Sequence, residues 1–449
     1  MLLPVLLPPP TGLPADGWRV SGVGLAMALW WMTEAAPLPA TALVPLAVFA
    51  PAGIAPFAEV ASTYAHPLIV LFLGGFLVAR ALEHHGLHRR LAKPVLRLGA
   101  GRPAATVGAL MVATAFLSIW ISNTASTMIM APIGAAIVAE RPEDWRLGAA
   151  TMLGIAYAAT IGGMGSLIGT PPNALFAVYM ADNHGVTIGF TEWAAIGLPI
   201  VVLLLPLTWL LLTKVMFIPR GERMGEFGGI TGSLSVAGRR AVWIIVLTAG
   251  TLVLRPAFDD GGGGITDAGI LVSGALALFL CPDGGGGRLL DWEIAKGLRW
   301  DVLILFGGGL ALARAIDTSG LAAWLAGQAG ALYGLPALLI VAALAGVIVL
   351  VGELASNTAM AAVFLPIAGA TSIGLGIDPL HFALPVALAA SVGFMLPVAT
   401  PPNAIVFAHE AVTRSRMLRA GLPLDLLATV VAIGIAFLLA PLIFGHSGP

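Results

Sequence analysis

Four blocks of this sequence recur in the same order, and nothing else in it restricts the possible folds so strongly. Gly74-Gly75-Phe76-Leu77-Val78-Ala79-Arg80-Ala81-Leu82-Glu83 is echoed by Gly308-Gly309-Leu310-Ala311-Leu312-Ala313-Arg314-Ala315-Ile316-Asp317, an offset of 234 residues. The same offset carries Gly86-Leu87 onto Gly320-Leu321 and Ser122-Asn123-Thr124-Ala125 onto Ser356-Asn357-Thr358-Ala359. Thr170-Pro171-Pro172-Asn173-Ala174 returns as Thr400-Pro401-Pro402-Asn403-Ala404 with an offset of 230. Matched blocks in one order describe two copies of a single unit, and a repeat at this scale governs the whole fold.

A bilayer is the setting for such a chain. Of its 449 residues 58% are hydrophobic and 10% charged, where soluble domains carry about 25% charge. Apolar runs of about 20 residues, the length that spans a membrane, recur from Trp18 to Ile443 and give about eleven spans. The expected fold is therefore an all-α polytopic protein of the inner or plasma membrane. The 56 glycines and 32 prolines predict broken helices, tolerable in lipid where the broken backbone lines a cavity or is buried in protein. The single cysteine, Cys281, excludes an intramolecular disulfide and reads as a small apolar membrane residue. A net charge of −1 leaves no basic footprint for nucleic acid. Met1 to Pro10 lacks the basic start and cleavage pattern of a signal peptide and reads equally as a truncated first helix.

Charge decides how the two copies face, because cytoplasmic loops gather Lys and Arg. Arg80, Arg89, Arg90, Lys93, Arg97 and Arg102 crowd one copy, whereas the equivalent stretch from Arg314 to Pro336 holds Arg314 alone. Equivalent segments thus face opposite sides, and the repeat is inverted. Lys214 to Arg240 and Arg414 to Arg419 are expected on the cytoplasmic side, unlike Phe258 to Gly264 with Asp259 and Asp260. Arg89, Lys93 and Arg97 share one helical face opposite Leu87, Leu91 and Val95, which predicts a helix lying in the interface near 84–98. That placement accounts for His84, His85 and His88 at its start without a metal.

The chemistry sits in the doubled motifs. Ser-Asn-Thr places two hydroxyls and a carboxamide at membrane depth, where an unsatisfied polar group costs several kcal/mol. One copy alone would read as hydrogen-bonded packing between helices; two copies, each followed by Thr-Pro-Pro-Asn, read as a site. The prolines break the helix and are expected to free the carbonyls of Gly169 and Ala399. Free carbonyls and an Asn oxygen suit a sodium ion, and half-helix N-termini face anions. Neither motif pair contains Arg or Lys, so an anion bound there needs hydrogen-bond donors, helix ends and co-bound cations rather than a bidentate Arg clamp.

These motifs, together with Trp31-Met32-Thr33-Glu34-Ala35-Ala36-Pro37-Leu38-Pro39, Leu305-Phe306-Gly307-Gly308-Gly309-Leu310 and the run from Phe394 to Ala404, resemble the divalent anion/sodium symporter family of dicarboxylate, citrate and sulfate carriers over nearly the whole chain. The resemblance implies two re-entrant hairpins, a homodimer, and an elevator whose transport domain spans 104–215 and 334–449, with scaffold at 1–103 and 238–333 and a cytoplasmic loop at 216–237. It further implies one sodium site at Ser118, Ser122, Asn123 and Gly169, and another at Gly352, Ala355, Asn357 and Ala399. Substrate carboxylates would meet Ser122, Asn123, Thr170, Ser356, Asn357, Thr400 and Pro401. Gly352 departs from the threonine often found there in the family: if only its carbonyl serves the cation the second site survives, and if a hydroxyl is needed that site is weakened.

The expected function is sodium-coupled symport of a succinate-like carboxylate, with sodium-independent exchange on the same fold as the alternative. A more distant alternative, proton-coupled export, would lean on Glu353, an intramembrane acid whose mate at the 234 offset is Ile119. Glu353 equally suits binding a proton or cation and capping nearby helix ends. Glu34 reads as an anchor between scaffold helices. An enzyme would need a paired constellation; the sequence offers no His-Glu-x-x-His and no second acid evident near Glu353. A channel would show a continuous selectivity lining instead of breaks in both halves.

Overall fold

The computed structural model describes residues 8–33, 35–86, 102–218, 235–255, 264–328 and 334–444. The basic helix expected near 84–98 falls almost entirely outside them, as do Glu34, most of the 216–237 loop, the start of the chain and the acidic 258–263 stretch. Among the described residues the regular elements are helices, with one isolated bridge between Pro282 and Arg288. Seven are long and apolar enough to span a membrane, with a bent pair at 70° and five shorter apolar helices besides. Short helices beside full spans are what an architecture of broken and re-entrant segments requires.

In chain order the main helices are α1 (Ala15–Thr33), α2 (Pro67–His84), α3 (Pro103–Trp120), α4 (Asn123–Val138), α5 (Trp145–Met164), α6 (Pro171–His184), α7 (Phe190–Leu210), α8 (Val236–Leu254), α9 (Asp267–Leu280), α10 (Trp300–Thr318), α11 (Leu321–Gln328), α12 (Ala337–Gly352), α13 (Asn357–Gly374), α14 (Leu380–Ala390), α15 (Pro401–Phe407) and α16 (Arg414–Phe444). The repeat is visible in their starts: α3 and α12, α4 and α13, α6 and α15 begin at equivalent residues. Pro132 inside α4 has its counterpart in Pro366 inside α13.

Contacts at the helix ends orient the copies. His85, just past α2, bonds the Leu289 carbonyl at 2.7 Å, Arg240 in α8 donates to the Pro282 carbonyl at 2.6 Å, and Gly297 lies against the Arg80 guanidinium. The 281–299 connection therefore sits on the face where α2 ends, and α10 leaves that face in the opposite direction. Near its far end Arg314 pairs with Glu59, upstream of α2, at 3.0 Å. Equivalent helices α2 and α10 thus run antiparallel, as the charge asymmetry predicts. Phe72 and Phe306, equivalent under the 234 offset, meet edge to face at 5.0 Å between ring centroids, which puts the pseudo-two-fold axis between them.

Small residues let these helices approach, as is usual where lipid supplies no hydrophobic drive between helices. A Cβ on Gly74 would lie 2.8 to 2.9 Å from Leu271 and the Val272 nitrogen, and one on Gly308 would run into Ala42. The first glycine of each echoed pair is thus a close-packing position. The central helix is α5, buried without interruption from Leu147 to Met164.

Candidate functional site

Both Ser-Asn-Thr motifs open a helix after a sharp break. Ser122 (φ −62, ψ 149) precedes α4 and Ser356 (φ −65, ψ 131) precedes α13, so α3–α4 and α12–α13 have tips of one conformation. The Thr-Pro-Pro-Asn breaks match as closely: Thr170 has φ −143 and ψ 143, Thr400 φ −142 and ψ 149. The prolines follow at the first helical positions, where a missing N–H costs least.

One side chain stabilises each break in the same way. The Asn173 amide donates to the Gly163 carbonyl at 3.0 Å and the Ser166 carbonyl at 2.8 Å. The Asn403 amide donates to Gly393 and Leu396 at 3.1 and 2.9 Å. The acceptors lie ten and seven residues upstream in both cases, so the carboxamide replaces backbone donors that the interrupted helix lacks. Both asparagines are fully buried, and their Oδ1 atoms have no hydrogen-bond donor.

Around the tips the halves diverge. In the first, Ser118 Oγ stands 2.8 Å from Asn123 Oδ1 and 2.7 Å from the Ala159 carbonyl. A single hydroxyl proton among three oxygens leaves lone pairs unsatisfied. A Cβ on Gly163 would strike Asn123 Oδ1, and one on Gly169 would strike the Gly163 carbonyl; tip and break meet in one oxygen-lined spot. In the second, Gly352 takes the place of Ser118 and Asn357 Oδ1 is buried without a partner. The capping hydroxyls also trade places. Ser122 accepts from the Ala125 N–H at 3.2 Å while Thr170 makes no cap bond; Thr400 accepts from Asn403 at 3.4 Å while Ser356 makes none.

The second break has its own support. Glu353 accepts the Met395 N–H at 2.9 Å and the Leu396 N–H at 2.7 Å, and Asp425 of α16 accepts the Phe394 N–H at 3.1 Å. Three successive backbone donors are thus held by two buried carboxyls, and Tyr157 of α5 donates to the Phe394 carbonyl at 2.9 Å. Glu353 caps the break, one of the two roles its sequence position allows. A second acid does stand beside it, against the sequence reading: Asp425 holds the adjacent Phe394 N–H and interacts electrostatically with Glu353. The two acids serve one break in the backbone.

A cavity of about 810 Å³ joins the halves. Ser122, Asn123, Gly169 and Thr170 line it from the first repeat, and Ala355, Ser356, Asn357, Ala399, Thr400 and Pro401 from the second. Of the expected residues only Ser118 and Gly352 are absent from the wall; Ser118 stands behind Asn123. The wall also holds residues the motifs do not single out: Met32, Thr33, Leu38 and Pro39 from the Trp-Met-Thr segment, and Arg299 and Asp301 at the start of α10. The Trp31 indole donates to the Leu38 carbonyl at 3.2 Å and closes that turn. Among the described residues no cluster of His, Cys, Asp and Glu could hold a metal ion. The oxygens at Ser118, Asn123 and Asn357, with carbonyls at the breaks, are hard donors.

Inverted repeats, paired breaks and a polar cavity where the repeats meet define a multi-pass secondary membrane transporter. The chain belongs to the family described as sodium:sulfate symporter transmembrane region, whose model matches residues 1–444. The sodium-dependent dicarboxylate transporter SdcS of Staphylococcus aureus (strain USA300) is 36% identical over 472 residues, covering 99% of this chain and 90% of that protein. The SdcS of strain bovine RF122 / ET3-1 matches to the same extent. Two solved structures share the fold: the Alcanivorax borkumensis YdaH transporter, at 15% identity with a TM-score of 0.63 over 86% of this chain and 88% of that one, and Neisseria gonorrhoeae MtrF, at 13% identity with a TM-score of 0.59 over 85% and 83%.

Proposed function

We propose that this protein is a sodium-coupled symporter of small di- and tricarboxylates of the succinate type. The observation that carries the reading is the shared cavity, into which both Asn-bearing tips and both proline breaks project while neither motif pair brings a fixed positive charge. A dianion there is met by the hydroxyls of Thr170 and Ser356, which make no cap bond, and by the amides of Asn123 and Asn357. Its charge is balanced by sodium at Ser118, Ser122, Asn123 and Gly169 and at Gly352, Ala355, Asn357 and Ala399. Cations bound first reduce the penalty of desolvating the anion. The names of the S. aureus relatives agree in substrate class and coupling ion.

Transport follows from the division of the chain. Segments 104–215 and 334–449 form the moving unit, carrying the cargo as an elevator past a scaffold of 1–103 and 238–333, with two chains in a homodimer. If more sodium charges move than anion charges, each net charge gains about 2.3 kcal/mol per 100 mV.

The experiment is radiolabelled succinate uptake into proteoliposomes, with and without a sodium gradient, in competition with citrate, glutamate and sulfate. Asn123→Ala and Asn357→Ala should each abolish sodium-dependent uptake; undiminished uptake removes the site assignment. Counterflow of equal rate without sodium would instead make the protein an exchanger.

A further inference from the structure

The motif pairs carry no cation, yet the cavity wall does. Among its described residues the charged ones are Arg299 and Asp301, both from the start of α10. The guanidinium is engaged in a two-pronged pair: Nε lies 3.0 and 3.2 Å from the two Asp301 oxygens and Nη2 lies 2.9 Å from Oδ2. A carboxylate at the cavity mouth is thus already held by this arginine in the fork geometry that suits it. Both side chains are 47% exposed, and an ion pair in such a setting contributes little. Exchanging Asp301 for another carboxylate is therefore nearly isoenergetic.

The side of the membrane can be read from the neighbours. Arg299 ends the 281–299 connection, which lies against Arg80, His85 and Arg240. These belong to the two most basic stretches of the chain, Arg80 to Arg102 and Lys214 to Arg240, the hallmark of the cytoplasmic face. In this conformation the cavity reaches that face beside Arg299. Because α10 belongs to the segment assigned to the scaffold, the guanidinium meets the cargo only when the cavity is turned inward.

We propose that Arg299 is a carboxylate-binding residue of the cytoplasmic mouth, which takes one carboxylate of the departing anion in exchange for Asp301 and surrenders it when Asp301 returns. The inference rests on reading the cavity as a carboxylate site. Arg299 then sets affinity from the inside, and Asp301 keeps that affinity low enough for release. A monocarboxylate, with a single charged end held by the tips, gains nothing from Arg299; a dicarboxylate does.

The test uses the full-length protein in proteoliposomes with succinate as the probe. Cys281, the single cysteine, lies in the same connection and is partly exposed, so an impermeant maleimide reports which face is outward. In cells the reagent should spare Cys281 until the membrane is opened; labelling from outside overturns the sidedness and the proposal with it. Arg299→Gln should raise the half-saturating succinate concentration on the cytoplasmic side a few-fold, the scale of a half-exposed ion pair, and leave the external value in place. Asp301→Asn should lower the internal value several-fold and slow efflux. Arg299→Lys, which keeps the charge without the fork, should fall between and serves where the glutamine variant is poorly folded. An equal shift on both faces, or none on the inside, overturns the proposal. Failure of the cavity reading looks different: Asn123→Ala and Asn357→Ala would then transport normally.

Discussion

In the first repeat a serine hydroxyl stands 2.8 Å from the tip asparagine oxygen; in the second, glycine holds the equivalent place and the asparagine oxygen is buried without a partner. In the first repeat Ile119 needs only its carbonyl, which accepts from Ser166 at 2.5 Å. Its mate Glu353 holds two backbone N–H groups of the second break. Meanwhile Asn173 and Asn403 make the same pair of bonds to the same relative acceptors. What survives duplication is therefore the device that keeps each helix broken. What has drifted apart lies behind the tips, where Ser118 stands against Gly352 and Ile119 against Glu353.

Substitutions can break this contrast, most forcefully at Glu353. Glu353→Ala strips two buried donors of their acceptors at about 1–3 kcal/mol each, so we expect a large fall in thermal midpoint in detergent and loss of uptake. Ile119→Val should cost no more than about 1 kcal/mol, and a comparable loss from both would erase the asymmetry. Next in size, Asn173→Ala and Asn403→Ala each remove two hydrogen bonds, about 2 kcal/mol together. Their thermal shifts should agree; a difference larger than about 1 kcal/mol would deny that the two breaks are held alike. Ser118→Ala makes the first half resemble the second and should raise the half-saturating sodium concentration about fivefold, near 1 kcal/mol, measured by sodium titration of uptake at saturating succinate. The smallest effect is the reverse change. A Cβ on Gly352 meets nothing closer than Met360 Cγ at 3.8 Å, so Gly352→Ser should fit and lower the sodium requirement a few-fold. If neither variant moves the sodium titration, position 118 and its mate stand outside the cation sites.

The membrane class, the doubling and its inversion are legible in the sequence because each rests on a repeated cost. Polar groups are expensive in lipid, and a motif that recurs with its proline partner at nearly constant spacing marks a place where that cost is accepted twice. The tips and the breaks that line the cavity follow from the same signal. What the asparagines of the breaks do was hidden, since their acceptors lie upstream across the kink they stabilise. Asp425 was hidden for another reason: it lies far along the chain in α16, and its counterpart in the first repeat is Ala195, so no echo points to it. Arg299 belongs to a helix whose echoed part is the glycine run, and only the folded chain brings its head to the cavity wall.

The contact between Phe72 and Phe306 has a consequence of its own. In a chain doubled from one unit these two rings descend from a single side chain that met its own copy across a two-fold axis. Such a contact is isologous, and in the undoubled ancestor any change there would have acted on both sides at once. Fusion released that constraint, so one ring can now change while the other stays. The edge-to-face pair is an inherited self-recognition surface, now enclosed within one polypeptide.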